Sequence, residues 1–358
     1  MKVLHIVPYL PKASGVTTFV DEVSKQLVAK GVGCAVCVEM PRWNNQGMTV
    51  VEDVPRLSVS EALKQIGDFD VVHIHGIWRP CMHKFVVAAR KFKKPIVWSL
   101  HGMLSPWAMK FKRWKKLPVW WLWQKRDLKY AAVLHVTSEK EAEWVRAYGF
   151  DNKIVNIPLG THLPSEIPDL RGKDKTLLFV GRMNPVKGLD NLIRAWKIFE
   201  SDDESLGWHL RLVGTDEMNY QKQLQRLAEE IGVGASVEFV GPQFGEELKK
   251  EYLQAAALIL PSHTENFGGV VVDAMAYGLP VIASRGTPWA GLVEHKCGWW
   301  VDNSPESLAD ALKKMAGCDL RDWGKRGREW VRSEFSWEVV GENIFKIYCE
   351  VSADASAT

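Results

Sequence analysis

Two carboxylates bracket a glycine pair in ENFGGVVVDAMAYGLPV (265–281): Glu265 leads into Gly268-Gly269, and Asp273 follows. The apolar run after the glycines reads as a buried helix closed by Gly278 and Pro280. Solvated charge at Glu265 and helix-dipole complementarity at Asp273 would explain each acid singly. On either side of one turn they also make a pair of hydrogen-bond acceptors for a ligand rich in hydroxyl groups. Pro261-Ser262 favours that use of Glu265, because the strand ALIL ends there and places the acid at the carboxyl edge of a sheet.

A second constellation is cationic. In FVGRMNPVKGLDNLIRAW a strand turns at Gly181 into a helix, with Arg182 and Lys187 flanking the turn. Two cations beside the positive end of a helix dipole suit an anion, most simply a diphosphate. A solvated loop that happens to hold an Arg and a Lys is the plainer alternative. The loop PKASGV also runs from strand to helix, and Gly15 would let its backbone approach a ligand. No G-x-x-x-x-G-K-[ST] stretch occurs, which argues against a P-loop NTPase.

Histidines form the third group. His101, in SLHGMLSPW, lies just past the strand PIVWSL and before a glycine, a position that favours a functional role. His73 and His75 share one face of VVHIHG; His73 reads as a bonded core residue, and only His75 nears the strand end. Asp68-Phe69-Asp70 resembles a metal-holding Asp-x-Asp but precedes its strand, at the wrong edge of the sheet. Asp202-Asp203-Glu204 ends a helix and reads as solvated. No metal site and no cofactor are expected.

These residues need elements to position them. The first half alternates apolar strands (VLHIV, VVHIH, PIVWSL, AVLHVT, IVNIP) with helical or loop sequence; after 161–175 the rhythm restarts with TLLFVG, HLRLVG, SVEFVG, ALILPS and PVIAS. Continuous apolar strands indicate parallel sheets covered on both faces. The expected fold is α/β, with two doubly wound Rossmann-like domains, 1–168 and 169–335, facing a central cleft. The segment 336–358 reads as an amphipathic helix crossing back to the first domain.

Bulk composition sets limits. The 358 residues are 46% hydrophobic and 25% charged, long enough for two full cores. A net charge of +3 gives no reason to expect nucleic-acid binding. Cys34 and Cys37, three apart on a strand, face opposite ways and make a poor metal site, so reduced cytoplasmic thiols are expected. MKVLHIVPYL reads as a strand rather than a signal peptide, and no apolar run reaches membrane-spanning length.

In order and spacing, the Gly15 loop, HIHGIW, HGMLSPWA, VTSEKEAEWVR, GRMNPVKG and ENFGGVVVDAMAYGLPVIAS resemble the retaining glycosyltransferases of family 4, which have the GT-B fold. The resemblance implies a nucleotide-sugar donor bound mainly by the second domain. Arg182 and Lys187 would hold its diphosphate. Glu265, with the backbone amides of Asn266, Phe267, Gly268 and Gly269, would hold the sugar hydroxyls. Asp273 would take the ribose, and His101 would sit near the reacting centre. The chain departs from the family in two places: Asp273 stands where Glu is usual, and Pro158-Leu159-Gly160 where Pro-Asn-Gly is frequent. The implied chemistry is metal-independent transfer with retention to a glycan or lipid-linked acceptor, as in bacterial surface polysaccharide, lipopolysaccharide or glycolipid assembly. A nucleotide-sugar epimerase of the same architecture, a phosphorylase needing a pyridoxal lysine, and a non-catalytic sugar-nucleotide sensor are the alternatives.

One segment fits none of these roles. The stretch 107–130 carries eight basic residues against one acid, interleaved with five Trp. Phe111, Trp114, Leu117 and Trp121 would share a helical stripe, with Pro118 bending or dividing the helix. A buried helix pair with solvated lysines is one reading. The other is an interfacial surface on anionic lipid, which would make the protein peripheral on the cytoplasmic face of the membrane.

Overall fold

The computed structural model describes residues 1–10, 14–39, 54–167 and 175–357. Two compact units divide the chain: 1–160 together with 337–358, and 161–336. The division therefore falls at 160/161 rather than at 168, and residue 336 belongs to the second unit.

The first unit is built on seven parallel strands: β1 (Lys2–Val7), β2 (Gly33–Val38), β3 (Arg56–Leu57), β4 (Val71–His75), β5 (Ile96–Ser99), β6 (Val133–Val136) and β7 (Lys153–Asn156), in the order β3-β2-β1-β4-β5-β6-β7. Winding runs outward from β1 in one direction and from β4 in the other, so the order reverses between them. Ligands of such sheets sit beyond the strand carboxyl ends at that reversal. The sheet separates two apolar layers. Leu4, Ile6, Ile74 and Trp98 face one. Val3, Val7, Val71 and Val97 face the other, under the helices Gly15–Ala29 and Trp337–Ala357. Cys34 and Cys37 fall in opposite layers, and burial pushes both thiols up to about 12.

The C-terminal helix packs on the first unit because Trp337, Val340, Ile344 and Tyr348 bury one face of it. Gly160 is required there: a Cβ would lie 2.5 Å from the Trp337 ring. Truncating a ring buried this fully costs about 3–5 kcal/mol.

The second unit repeats the pattern with β8 (Lys175–Val180), β9 (Trp208–Val213), β10 (Val237–Gly241), β11 (Ala257–Leu260), β12 (Val281–Ser284) and β13 (Gly298–Val301), ordered β10-β9-β8-β11-β12-β13 and all parallel. Its reversal lies between β8 and β11. The loops after those two strands are the ones that carry Arg182, Lys187 and Glu265.

The stretch 107–130 is not one helix bent at Pro118. It folds as Pro106–Lys110, Arg113–Val119, a π turn Trp120–Gln124, and Lys125–Tyr130. The break comes earlier, where Phe111 is extended and Lys112 is left-handed at φ 50°. The helix runs past Pro118 to Val119 and widens into the π turn at Trp120, two residues on. Trp120 and Leu128 are buried, whereas Trp114 and Trp121 are each 73% exposed, so the segment is only half the buried pair.

Candidate active site

After β8 the chain passes Gly181 and Arg182, makes a short 3-10 turn (Pro185–Lys187), and enters the helix Leu189–Glu200 through Gly188. Gly188 is left-handed at φ 64°, and a Cβ there would stand 2.3 Å from the Pro261 carbonyl oxygen. That close approach, with His263 N–H donating to the Val186 carbonyl at 2.8 Å, fixes the Lys187 turn against the loop after β11. The result is an ion pair: Lys187 Nζ lies 2.5 Å from Glu265 Oε2, with side chains 16% and 19% exposed. Ser262 Oγ donates to the same carboxylate oxygen at 3.4 Å, and Glu265 N–H donates to the Gly286 carbonyl.

The loop from Glu265 to Gly268 is pinned from below. Phe267 is buried against Trp289, whose Nε1–H donates to the Phe267 carbonyl at 2.5 Å. Its ring is therefore a packing element, leaving the backbone of Asn266–Gly269 as the part of this loop that could serve a ligand. Gly268 caps the helix Gly269–Ala276 at φ 81°, where a Cβ would meet Leu260 at 2.8 Å.

Asp273 lies on that helix, past its first turn. It accepts a 2.6 Å bond from Thr161 Oγ1, and burial pushes its carboxyl up to about 6, opposed by the Thr161 bond and by His162. Arg182 does not join Lys187 and Glu265. Its side chain is 67% exposed and bound to Glu217 at 2.8 Å. Glu217 also accepts from Asn184 Nδ2 at 2.8 Å; that bond first, then Arg182, holds its carboxyl below the usual range.

Glu217 is a further candidate that the sequence alone does not single out. It follows β9 as Arg182 follows β8, so the strand-end rule applied to GTDEMN would have found it.

The first unit positions His101 and Gly15. His101 is left-handed at φ 51° and is followed by Gly102, whose N–H donates to the buried Glu141 carboxylate. Glu141 also accepts from Thr137 N–H and Oγ1 at 2.8 and 3.0 Å, tying the turn to the end of β6. His101 Nε2 lies 3.2 Å from His75 Nδ1, and burial holds the His101 ring down to about 3. Gly15 opens the helix Gly15–Ala29 and packs on Leu159; Pro11, Lys12 and Ala13 of its loop lie outside the described residues.

His73 is the bonded core residue expected, with Tyr348 OH at 2.5 Å and Ser99 Oγ at 2.7 Å on its two nitrogens. His5, His73 and His75 each bring a ring nitrogen within 4.8 Å of the others, close enough for a metal. An ion there would take one nitrogen from each ring and displace at least one of the two His73 bonds, whereas the rings as they stand are already joined in hydrogen bonds. Asp70 accepts from Lys2 N–H at 2.7 Å, a strand-entrance role, and Asp202 is not simply solvated but pairs with Lys313 at 2.6 Å.

Two family models match: Glycosyltransferase Family 4 over residues 13–163, and Glycosyl transferases group 1 over 165–330. A D-inositol 3-phosphate glycosyltransferase of Corynebacterium jeikeium is 35% identical over 191 residues, covering 50% of this chain and 44% of the relative. The chain spans about half the length of the curated relatives it matches. HepE of Anabaena in complex with UDP-glucose superposes with a TM-score of 0.75 at 18% identity, covering 98% of this chain and 100% of HepE. The lipopolysaccharide outer core galactosyltransferase WaaB gives 0.72 at 17%, over 98% and 100%. At these identities the structural likeness is one of fold. Matched across both units by these models and by the fold, the chain belongs to glycosyltransferase family 4 and has the GT-B fold.

Proposed function

We propose that this protein transfers a sugar from a nucleotide-sugar donor to a glycan or lipid-linked acceptor, with retention and without a metal. The observation that carries the reading is the Lys187–Glu265 pair at the sheet reversal of the second unit. Without ligand each group neutralises the other. With donor present, Lys187 meets the diphosphate and Glu265 the sugar hydroxyls, so the pair marks the junction between the two halves of the donor.

In the reaction the bond from the anomeric carbon to the diphosphate oxygen breaks while the acceptor oxygen bonds to that carbon on the same face. The acceptor proton passes to the departing diphosphate. Lys187 and Arg182 stabilise the charge that develops there, a role in which one fixed group is worth about 3 kcal/mol. Asp273 accepts from the ribose, and His101 supports the reacting sugar. HepE in complex with UDP-glucose, on the same fold, supports a donor of this class.

The acceptor side is read from the surface. Trp107, Phe111, Trp114, Trp121 and Leu122 are all more than half exposed, among Lys110, Lys112, Arg113 and Lys115. Lys112 and Lys115 lie over the Phe111 and Trp114 rings at 5.0 and 4.9 Å. Beside them runs a groove of about 340 Å³ whose lining includes Met109, Leu117, Trp120 and Tyr148 together with Lys110 and Arg113. Rings at headgroup depth with cations on anionic phosphates describe a peripheral membrane surface, and they suit a lipid-linked acceptor. Among the described residues no helix is long and apolar enough to cross a membrane.

The test is turnover of a panel of nucleotide-sugars with lipid-linked and soluble acceptors in EDTA, with the anomer of the first-formed product read by NMR. Transfer with retained configuration is the expected result. Inverted product, dependence on added manganese or magnesium, or epimerised donor without transfer would each overturn the reading.

A further inference from the structure

Strand register explains why imidazoles gather in the first unit. His5 on β1 stands beside His73 on β4, and His75 follows two residues on, on the same face. Two separate hydrogen-bond chains result. One runs from Tyr348 through His73 and Ser99 to His135, which ends on the Ile157 carbonyl. The other runs from His5 Nδ1 to His75 Nε2 at 3.0 Å, then from His75 Nδ1 to His101 Nε2 at 3.2 Å. Phe19 covers this second chain, its ring 5.9 and 6.1 Å from those of His75 and His101. Burial holds His5, His75 and His101 well below the ordinary histidine value, so all three are neutral at pH 7.

Proton counting then restricts the chain. Three neutral rings carry three protons on six nitrogens, and each contact needs a proton on one side and a lone pair on the other. His75 has one proton, so it donates at one end and accepts at the other. Both contacts must point the same way. If they point towards His5, the His5 Nε2–H is left buried without an acceptor, since that nitrogen has no partner among the described residues. If they point towards His101, His5 Nε2 carries only an unused lone pair. A buried donor without an acceptor is the rarer and costlier defect. The chain therefore runs from His5 to His75 to His101, and His101 Nε2 accepts. Its own proton must sit on Nδ1, which makes no hydrogen bond among the described residues but, unlike His5 Nε2, belongs to a partly exposed residue and is not a buried unpartnered atom.

We propose that His5 and His75 are positioning residues that lock His101 in the Nδ1–H tautomer, so that it meets the substrate as a neutral hydrogen-bond donor and not as a base. The inference rests on the reading that His101 faces the reacting sugar. It removes His101 as a candidate for the acceptor's proton and leaves that proton to the leaving diphosphate.

The test is nitrogen-15 NMR of histidine-labelled protein, with His101 assigned by its loss in His101→Gln. Wild type is expected to show the proton on Nδ1. His75→Asn keeps a donor amide near the Nδ1 position and should keep both the tautomer and the turnover. His75→Leu removes the donor, so His101 should populate both tautomers, and kcat should fall at least about tenfold at an unchanged donor KM. A wild-type His101 protonated on Nε2 overturns the proposal without any variant. A tautomer unmoved in a folded His75→Leu protein overturns it equally. A lost lock with unchanged kcat upholds the positioning relation and overturns instead the catalytic reading of His101.

Discussion

Replacing Asp273 with Asn should make the protein more stable and bind nucleotide worse, and the two effects should follow different pH curves. Burial raises the folded-state pKa of Asp273 from 3.8 to about 6. Below 3.8 the group is neutral folded and unfolded and contributes nothing. Between 3.8 and 6 the folded state holds the proton that the unfolded state has lost, so stability falls as pH rises. Above 6 the loss is complete and flat. At about 1.36 kcal/mol per unit the shift corresponds to about 3 kcal/mol, and partial exposure of the side chain leaves about 1–2 kcal/mol of it. Asparagine keeps an oxygen for the 2.6 Å bond from Thr161 and carries no charge to desolvate.

Urea unfolding of both proteins from pH 4 to 8 reads the difference directly. The variant should gain on wild type through pH 4–6 and hold a constant lead above. Nucleotide binding works the other way, because ribose hydroxyls donate to the ionised carboxylate. Wild-type affinity should climb through pH 6, whereas Asp273→Asn should show no such climb and should bind about tenfold or more weakly at pH 8, at about 1.5–3 kcal/mol per hydrogen bond to a charged group. A variant less stable than wild type at pH 8 refutes the burial argument; unchanged calorimetric affinity for the bare nucleotide refutes the ribose role.

Lys187→Ala should cut turnover about a hundredfold or more, since it removes a group opposite the leaving diphosphate and leaves Glu265 without its counter-charge. Arg182→Ala should cost less, about tenfold, because that side chain is exposed and shared with Glu217; steady-state rates that reverse this order would sink the assignment. The wild type should pellet with anionic vesicles at low salt and release at high salt. Charge reversal at Lys110, Lys112 and Lys115 should abolish pelleting and spare nucleotide binding, whereas Lys116 is unsuitable because its Nζ holds the Ala108 carbonyl and joins two helices. Wild-type protein that ignores such vesicles would return the acceptor to a soluble glycan.

What the sequence made legible follows from the range over which each signal acts. Strands buried on both faces announce themselves in consecutive residues, so VVHIH, TLLFVG and ALIL could be placed. The two-residue β3 and the Trp-rich β13 carry too little of that pattern. The ends of β8 and β11 in turn gave Arg182, Lys187 and Glu265. Their partners were a different matter. Thr161 stands 112 positions from Asp273, and His5 stands 70 from His75, so only the folded sheets bring them together. Pro118 misled for the converse reason: a local rule predicted a break there, and the helix Arg113–Val119 runs through it.

The two acids of the opening stretch show what tertiary structure adds to a motif. Both flank the same glycine turn, and composition gives no ground to treat them differently. In the fold Glu265 receives a full counter-charge from Lys187, while Asp273 receives one hydroxyl from Thr161 and a buried surround. Glu265 therefore has its counter-charge in place without ligand, and on the proposed reading a donor would exchange Lys187 for sugar hydroxyls. Asp273 makes no ion pair among the described residues, with only Thr161 and His162 opposing its burial, so on the proposed reading each ribose hydroxyl it accepts would relieve an under-solvated charge. On the proposed reading, the sugar end of the donor supplies orientation and the ribose end supplies affinity, which is why the nucleotide alone should bind nearly as well as the intact donor.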